Sequence, residues 1–215
     1  MVTNDRLKRC APDERRDHIV SVATEAFTRT GYGSTSMSAI AARLGGSKAT
    51  LYKYFPSKES LFEAVLRRGC DGVIEALAAL AESANGDLEA LLTRFGTEFL
   101  SALCTERALT VYRMVHSAAL RFPETAEMFF RAGPDRGGIV LAALLERHAA
   151  LHGIALDDPR LAADQFLGMV RGKLHMRVAL GLVPPPDAAQ LQHHSAHAAR
   201  IFARGLMGDA ATVPN

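Results

Sequence analysis

The densest group of side chains that could do chemistry lies between Ser47 and Tyr54. Lys48 and Lys53 bring charge, Thr50 brings a hydroxyl and a methyl, and Tyr52 and Tyr54 bring hydroxyls on apolar rings. Groups of this kind suit DNA. Hydroxyls and ammonium groups bond to phosphate oxygens and fix register without reading sequence. Base edges are read by side chains near the start of a helix lying in the major groove. Lys48, Ala49 and Thr50 occupy such a start. A lysine can donate to guanine, and an alanine or threonine methyl can pack on the methyl of thymine. The plainer alternative is that Tyr52 and Tyr54 half-bury on the following helix.

Other chemistries find less support. His148 with His152, and His193 with His197, have the i, i+4 spacing that can hold zinc from one helix face. Each pair lacks a third ligand nearby in sequence, so exposed or interface histidines are expected and no metal site. Gly45-Gly46-Ser47-Lys48 looks superficially like a phosphate loop, but the required Gly-Lys-Ser/Thr and the glycine before it are missing. There is no Gly-x-Ser-x-Gly nucleophile turn and no His-Glu-x-x-His. No enzyme activity and no cofactor are therefore expected. Cys10, Cys70 and Cys104 are odd in number and far apart, which excludes a disulfide framework. They read as small reduced apolar residues, with redox sensing at Cys10 as the alternative.

These residues need elements to position them, and the whole chain reads helical. No segment alternates with period two over a useful length. Ile19, Val22, Ala23, Ala26 and Phe27 form one stripe at helical spacing, ended by Gly31. Ser36 can cap a short helix holding Ile40, Ala41 and Leu44. Gly45-Gly46 breaks it, Ser47 caps a second short helix over Lys48–Tyr54, and Pro56 ends that one. Two short helices joined by a glycine turn, with a longer one before them, make the pattern of a helix-turn-helix. Its core should be Ile40, Leu44, Leu51 and Phe55.

Ser57 caps the next helix, striped by Leu61, Phe62, Val65, Leu66, Val73, Leu77 and Leu80. Asn85-Gly86-Asp87 is a break. Further helices are expected over about Leu88–Leu103, Arg107–Leu120, Pro123–Ala132, Pro134–His152, Pro159–Leu180 and Asp187–Met207, with fraying from Gly208 onward.

Composition agrees with a globular fold. Apolar residues make up 48% of the 215 residues and charged residues 22%. The longest uncharged apolar run, Gly137–Leu145, falls far short of the ~18–20 residues of a membrane span. The N-terminus has no apolar signal region, so a cytoplasmic protein with no membrane partner is expected. The net charge is +2, but residues 1–60 hold ten Lys/Arg against six Asp/Glu, and the remainder is slightly acidic. A basic end suits a polyanion.

The run Ala26-Phe27, Gly31-Tyr32, Thr35-Ser36-Met37, Ile40-Ala41, Leu44-Gly45, Ser47-Lys48, Thr50-Leu51-Tyr52, Tyr54-Phe55, Ser57-Lys58-Glu59 and Leu61 resembles the DNA-binding domain of the tetracycline-repressor (TetR) family. The resemblance covers about residues 15–65, in order and without a gap. It implies an all-α homodimer that regulates transcription, most often as a repressor. It also implies that Ser36, Ser47, Tyr52, Tyr54 and Lys58 meet phosphates, and that Lys48, Ala49, Thr50 and Lys53 face the bases or the groove. Two positions depart. Gly46 stands where the family usually buries a valine in the turn, and Ala39 stands where an acid often closes a capping box with Ser36. Both departures predict a looser head.

Farther on, Arg121-Phe122-Pro123-Glu124, Phe129-Phe130, Gly133-Pro134 and Ala162-Ala163-Asp164-Gln165-Phe166-Leu167-Gly168 are similar to the C-terminal domain of AefR-type regulators. The expected organisation is a three-helix helix-turn-helix head over residues 1–60 and a larger helical body over 61–215 that binds a ligand and dimerises.

Two recognition helices must sit about one DNA turn (~34 Å) apart, which demands a two-fold protein and a near-palindromic operator. The last two helices are the expected interface, through Ala163, Phe166, Leu167, Val170, Leu174, Leu191, Ala198, Ile201, Phe202 and Leu206; packing inside one chain is the alternative. For a small-molecule effector, the candidate lining is Phe95, Phe99, Leu103, Tyr112, Met114, His116, Phe129, Phe130, Met169, Lys173 and Met176, each of which could instead be plain core. A cation such as Arg113, Arg171, Lys173 or His175 would favour an anionic or polar-headed ligand if it faced that cavity, and could equally face solvent or pair with an acid.

Overall fold

A computed structural model describes residues 12–82 and 86–208. Expectations for Cys10, Asn85 and the segment beyond Gly208 lie outside the described residues. Among those described there is no strand. The helices are α1 (Pro12–Ser34), α2 (Met37–Arg43), α3 (Lys48–Tyr54), α4 (Lys58–Glu82), α5 (Leu88–Leu103), α6 (Glu106–Ala119), α7 (Glu124–Ala132), α8 (Pro134–His152), α9 (Pro159–Ala179) and α10 (Ala188–Gly208).

Capping side chains set several of the starts. Ser36, Ser47, Asp87 and Asp158 each accept a hydrogen bond from the backbone N–H three residues on. At α4 the cap is reciprocal: the Ser60 amide donates to Ser57 Oγ, and the Ser57 amide donates to Ser60 Oγ. Helical geometry breaks inside α1 at Gly31, with φ 78°. It breaks again inside α9 at Gly172, with φ 40° and ψ −152°. The uninterrupted stripe around Gly172 concealed that second break. His194 Nε2 donates to the Val170 carbonyl just before it, at 2.9 Å.

The chain divides by contact into two compact units. One contains the described residues up to Gly69 together with Thr110–Ala132; the other contains the described residues of Cys70–Leu109 and those from Gly133. The change of unit falls inside α4 and inside α6. In the first unit a single apolar core joins Ile19, Phe27, Ile40, Leu51, Phe55 and Phe62 to Val111, Met114, Val115 and Met128. Ile40, Leu44, Leu51 and Phe55 are buried there, as their spacing predicts. In the second unit, α5 packs on α10 and α8 packs on α9.

The stripe read as a dimer interface needs correction. Ala163, Phe166, Leu167, Val170, Leu191 and Ala198 are buried within their own chain, because α9 and α10 turn those faces toward each other and toward α5. Of that set Ile201 is exposed, at 52%. The apolar residues that α9 leaves outside are Leu161, Met169 and Met176, followed by Leu180 at its C-terminal cap. Cys70 and Cys104 carry free thiols, and burial raises the pKa of both.

Candidate nucleic-acid interface

The second short helix, α3, has one anchor. Leu51 is buried and Phe55, at its C-terminal cap, is buried beside it. Every other turn position faces outward to some degree: Lys48, Ala49, Tyr52 and Lys53 are exposed, and Thr50 and Tyr54 are half-buried. Tyr52 keeps 46% of its surface open. Tyr54 behaves differently, since its ring packs against the core of the unit. The half-burial read as an alternative for both tyrosines thus describes Tyr54 and not Tyr52.

The start of α3 is tied by a small hydroxyl network. The Thr50 amide donates to Ser47 Oγ at 3.2 Å, and the two hydroxyls lie 3.0 Å apart. The Thr50 hydroxyl thus makes one of its hydrogen bonds within the cap. Ser36 does the same service for α2, accepting from the Ala39 amide at 3.1 Å. It caps without the acid that usually closes the box. The turn between the helices has no valine side chain to bury, and the Arg15 guanidinium lies 3.5 Å from the position of a Cβ on Gly46, at ordinary contact distance. Arg16 sits 5.0 Å from the centre of the Phe55 ring, a cation–π contact that adds to the hold of α1 on the end of α3.

Lys58, at the first position of α4, is half-buried. Its ammonium donates to the Gly33 carbonyl at 3.4 Å and lies 4.2 Å from the centre of the Tyr32 ring. Burial pulls the ammonium pKa down, while Glu59 and Glu124 push it back up. Tyr32 is 2% exposed and donates its hydroxyl to Glu59 at 3.2 Å. Burial, followed by the charges of Glu59 and Glu124, holds the phenol well above its ordinary pKa.

The residues read as effector-lining fall into two groups. Tyr112, His116, Phe129 and Phe130 belong to the first unit. The Tyr112 and His116 rings lie 3.9 Å apart, and Phe129 meets Phe130 edge-on. Phe95, Phe99, Leu103, Met169, Lys173 and Met176 belong to the second. There Phe95 is fully buried, Phe99 and Leu103 are half-buried, and Met169, Lys173 and Met176 are exposed. An open cleft of about 420 Å³ lies within the first unit, between α1 and α6, lined by Phe27, Thr28, Gly31, Thr110, Arg113, Met114 and Ser117. Of the expected lining only Met114 borders it.

The His148 and His152 rings lie 4.3 Å apart, centre to centre, tilted by 32°. Among the described residues no three His, Cys, Asp or Glu side chains are grouped to hold a metal ion. No helix of the described residues is long and apolar enough to cross a membrane.

Residues 19–65 match the model for the bacterial regulatory proteins of the tetR family. Residues 90–205 match that for the C-terminal domain of AefR-like transcriptional repressors. The chain belongs to the tetR family of transcriptional regulators. Among solved structures, a tetR-family regulator from Mesorhizobium loti superposes with a TM-score of 0.74 at 26% identity, covering 90% of this chain and 97% of that one. The flavonoid-responsive regulator FrrA superposes with a TM-score of 0.73 at 31% identity, over 90% and 97%. The transcriptional activator FasR of Mycolicibacterium smegmatis is 40% identical over 74 residues, which is 34% of each chain. The chain thus matches about a third of the length of that curated relative. This tetR-family chain is a DNA-binding transcription regulator with the family's helix-turn-helix and an all-helical body.

Proposed function

We propose that the protein is a homodimeric repressor in the cytoplasm. It binds a near-palindromic DNA operator through α3, and a small-molecule effector held by residues 61–215 releases it. The observation that carries this reading is the division of α3 into one buried anchor, Leu51, and an outward row of Lys48, Ala49, Tyr52 and Lys53. Lys48, Ala49, Thr50 and Lys53 face the bases in this scheme, and Ser36, Ser47, Tyr52, Tyr54 and Lys58 meet phosphates. Thr50 contributes its methyl in this scheme, its hydroxyl keeping the contact with Ser47.

The partner copy packs against α9 and α10. Leu161 and Met169, eight residues apart, share a face of α9 before the break at Gly172, Met176 and Leu180, four apart, lie beyond it, and Ile201 is the exposed large apolar residue of α10 among the described residues. Release follows if the effector binds better to a form whose heads are wrongly spaced for the operator. A flat aromatic effector is the first class to try, because the 31% identical FrrA is flavonoid-responsive.

Fluorescence anisotropy with the DNA upstream of its own gene tests the reading. Site-specific, salt-sensitive binding is expected. Tyr52→Phe should weaken binding to all sequences alike, whereas Lys48→Ala should change which operator variant is preferred. If binding shows neither site preference nor salt dependence, the chain is a helical ligand-binding protein that does not meet DNA.

A further inference from the structure

Phe122 lies in the turn between α6 and α7, more than fifty residues beyond the helix-turn-helix, yet it belongs to the same compact unit. Its ring fills a notch that exists because residue 33 is glycine. A Cβ on Gly33 would stand 2.8 Å from Phe122 Cε2 and 3.2 Å from Cζ, closer than carbon atoms pack. The ring meets Tyr32 edge-on, with centres 5.4 Å apart. The Lys58 ammonium lies 4.2 Å from the Tyr32 ring centre and 6.0 Å from that of Phe122, and it donates to the Gly33 carbonyl.

An ammonium between two ring faces is attracted by both. With one N–H engaged by Gly33, two donors remain on the same nitrogen. A lysine stem has several rotors to freeze before it can meet a fixed anion, so a contact that freezes them beforehand strengthens binding.

We propose that Phe122 is a positioning residue for DNA binding: seated over Gly33 and against Tyr32, it holds the Lys58 ammonium at the α1–α2 turn, where it meets a DNA phosphate. This rests on the reading of Lys58 as a phosphate contact given above. Phe122 itself touches no DNA and acts only through Lys58 and the turn.

The test is a double-mutant cycle on the full-length protein, read as operator affinity at several salt concentrations. Lys58→Ala should weaken binding and lower the slope of log Kd against log salt by about one. Phe122→Leu, which keeps an apolar plug without a ring, should weaken binding about three- to thirtyfold and lower the slope similarly. Gly33→Ala retains the Phe122 side chain but pushes its ring out of the notch, so it should reproduce the Phe122→Leu result if the leucine variant folds poorly. In the Lys58→Ala background neither change should weaken binding further. A loss from Phe122→Leu and Gly33→Ala that is equally large without Lys58, or an unchanged salt slope, overturns the positioning role. If Lys58→Ala alone alters neither affinity nor slope, the phosphate reading of Lys58 fails, and the role of Phe122 fails with it.

Discussion

At the scale of single residues, Thr50 shows how a hydroxyl can be claimed before any DNA arrives. Its oxygen lies 3.0 Å from Ser47 Oγ, and its amide donates to the same atom. With the hydroxyl held to Ser47 Oγ in the complex as in the free head, the methyl is the part of Thr50 that discriminates between bases. Thr50→Val should therefore keep the operator preference and lower the stability of the head by about 1 kcal/mol. Thr50→Ser should keep the stability and relax the preference for thymine at one position. A panel of operators with single base changes, titrated with both variants, decides the matter. A larger shift of preference with valine than with serine would show that the hydroxyl reads DNA.

At the scale of elements, the crossing of α5 and α10 holds an imperfection. Ser195 is fully buried, and its hydroxyl has no hydrogen-bond partner among the described residues. Its Cβ lies close to Gly96, with Phe166 and Val170 beside it. A buried hydroxyl without a partner carries a desolvation penalty of about 1–3 kcal/mol. Ser195→Ala should raise the melting temperature by about 2–4 °C per kcal/mol relieved, for a chain of this size. An unchanged or lower melting temperature would mean that the hydroxyl is satisfied in solution.

The element scale is also where the sequence was most readable. Caps at Ser36, Ser47, Ser57 and Asp87 and the proline at the start of α8 place those helices within about two residues of where they lie. What escaped was directional. The stripe of Phe166, Leu167 and Val170 announces an apolar face but not what covers it, since an interior and a subunit contact share one periodicity. Gly172 was equally silent, because a lone glycine in a helical pattern is tolerated without a break. At the candidate site, the outward row of α3 was legible from one apolar anchor and its cap. The placing of Lys58 against Phe122 was not, because it depends on a contact between segments far apart in sequence.

For the whole molecule, the proposed two-fold pairing must rest on surface that the single chain leaves open. Met176 is 60% exposed and Leu180 69% exposed. A charge placed at either should be harmless to the folded chain and harmful to pairing. Met176→Glu and Leu180→Glu should convert a dimer to a monomer in sedimentation, with helicity retained, and should weaken operator binding by orders of magnitude, because one half-site alone holds poorly. Dimers that persist in both variants would move the interface elsewhere on the molecule.

The core shared by Phe27 and Phe62 with Val111, Met114, Val115 and Met128 constrains how such a protein can be recombined. Grafting the first sixty-odd residues onto a relative's remainder would strand an apolar seam and leave Gly33 facing a foreign ring or none. A hybrid regulator built from this chain would need residues 110–132 to travel with the reading head, as an insert and not as a simple N-terminal exchange.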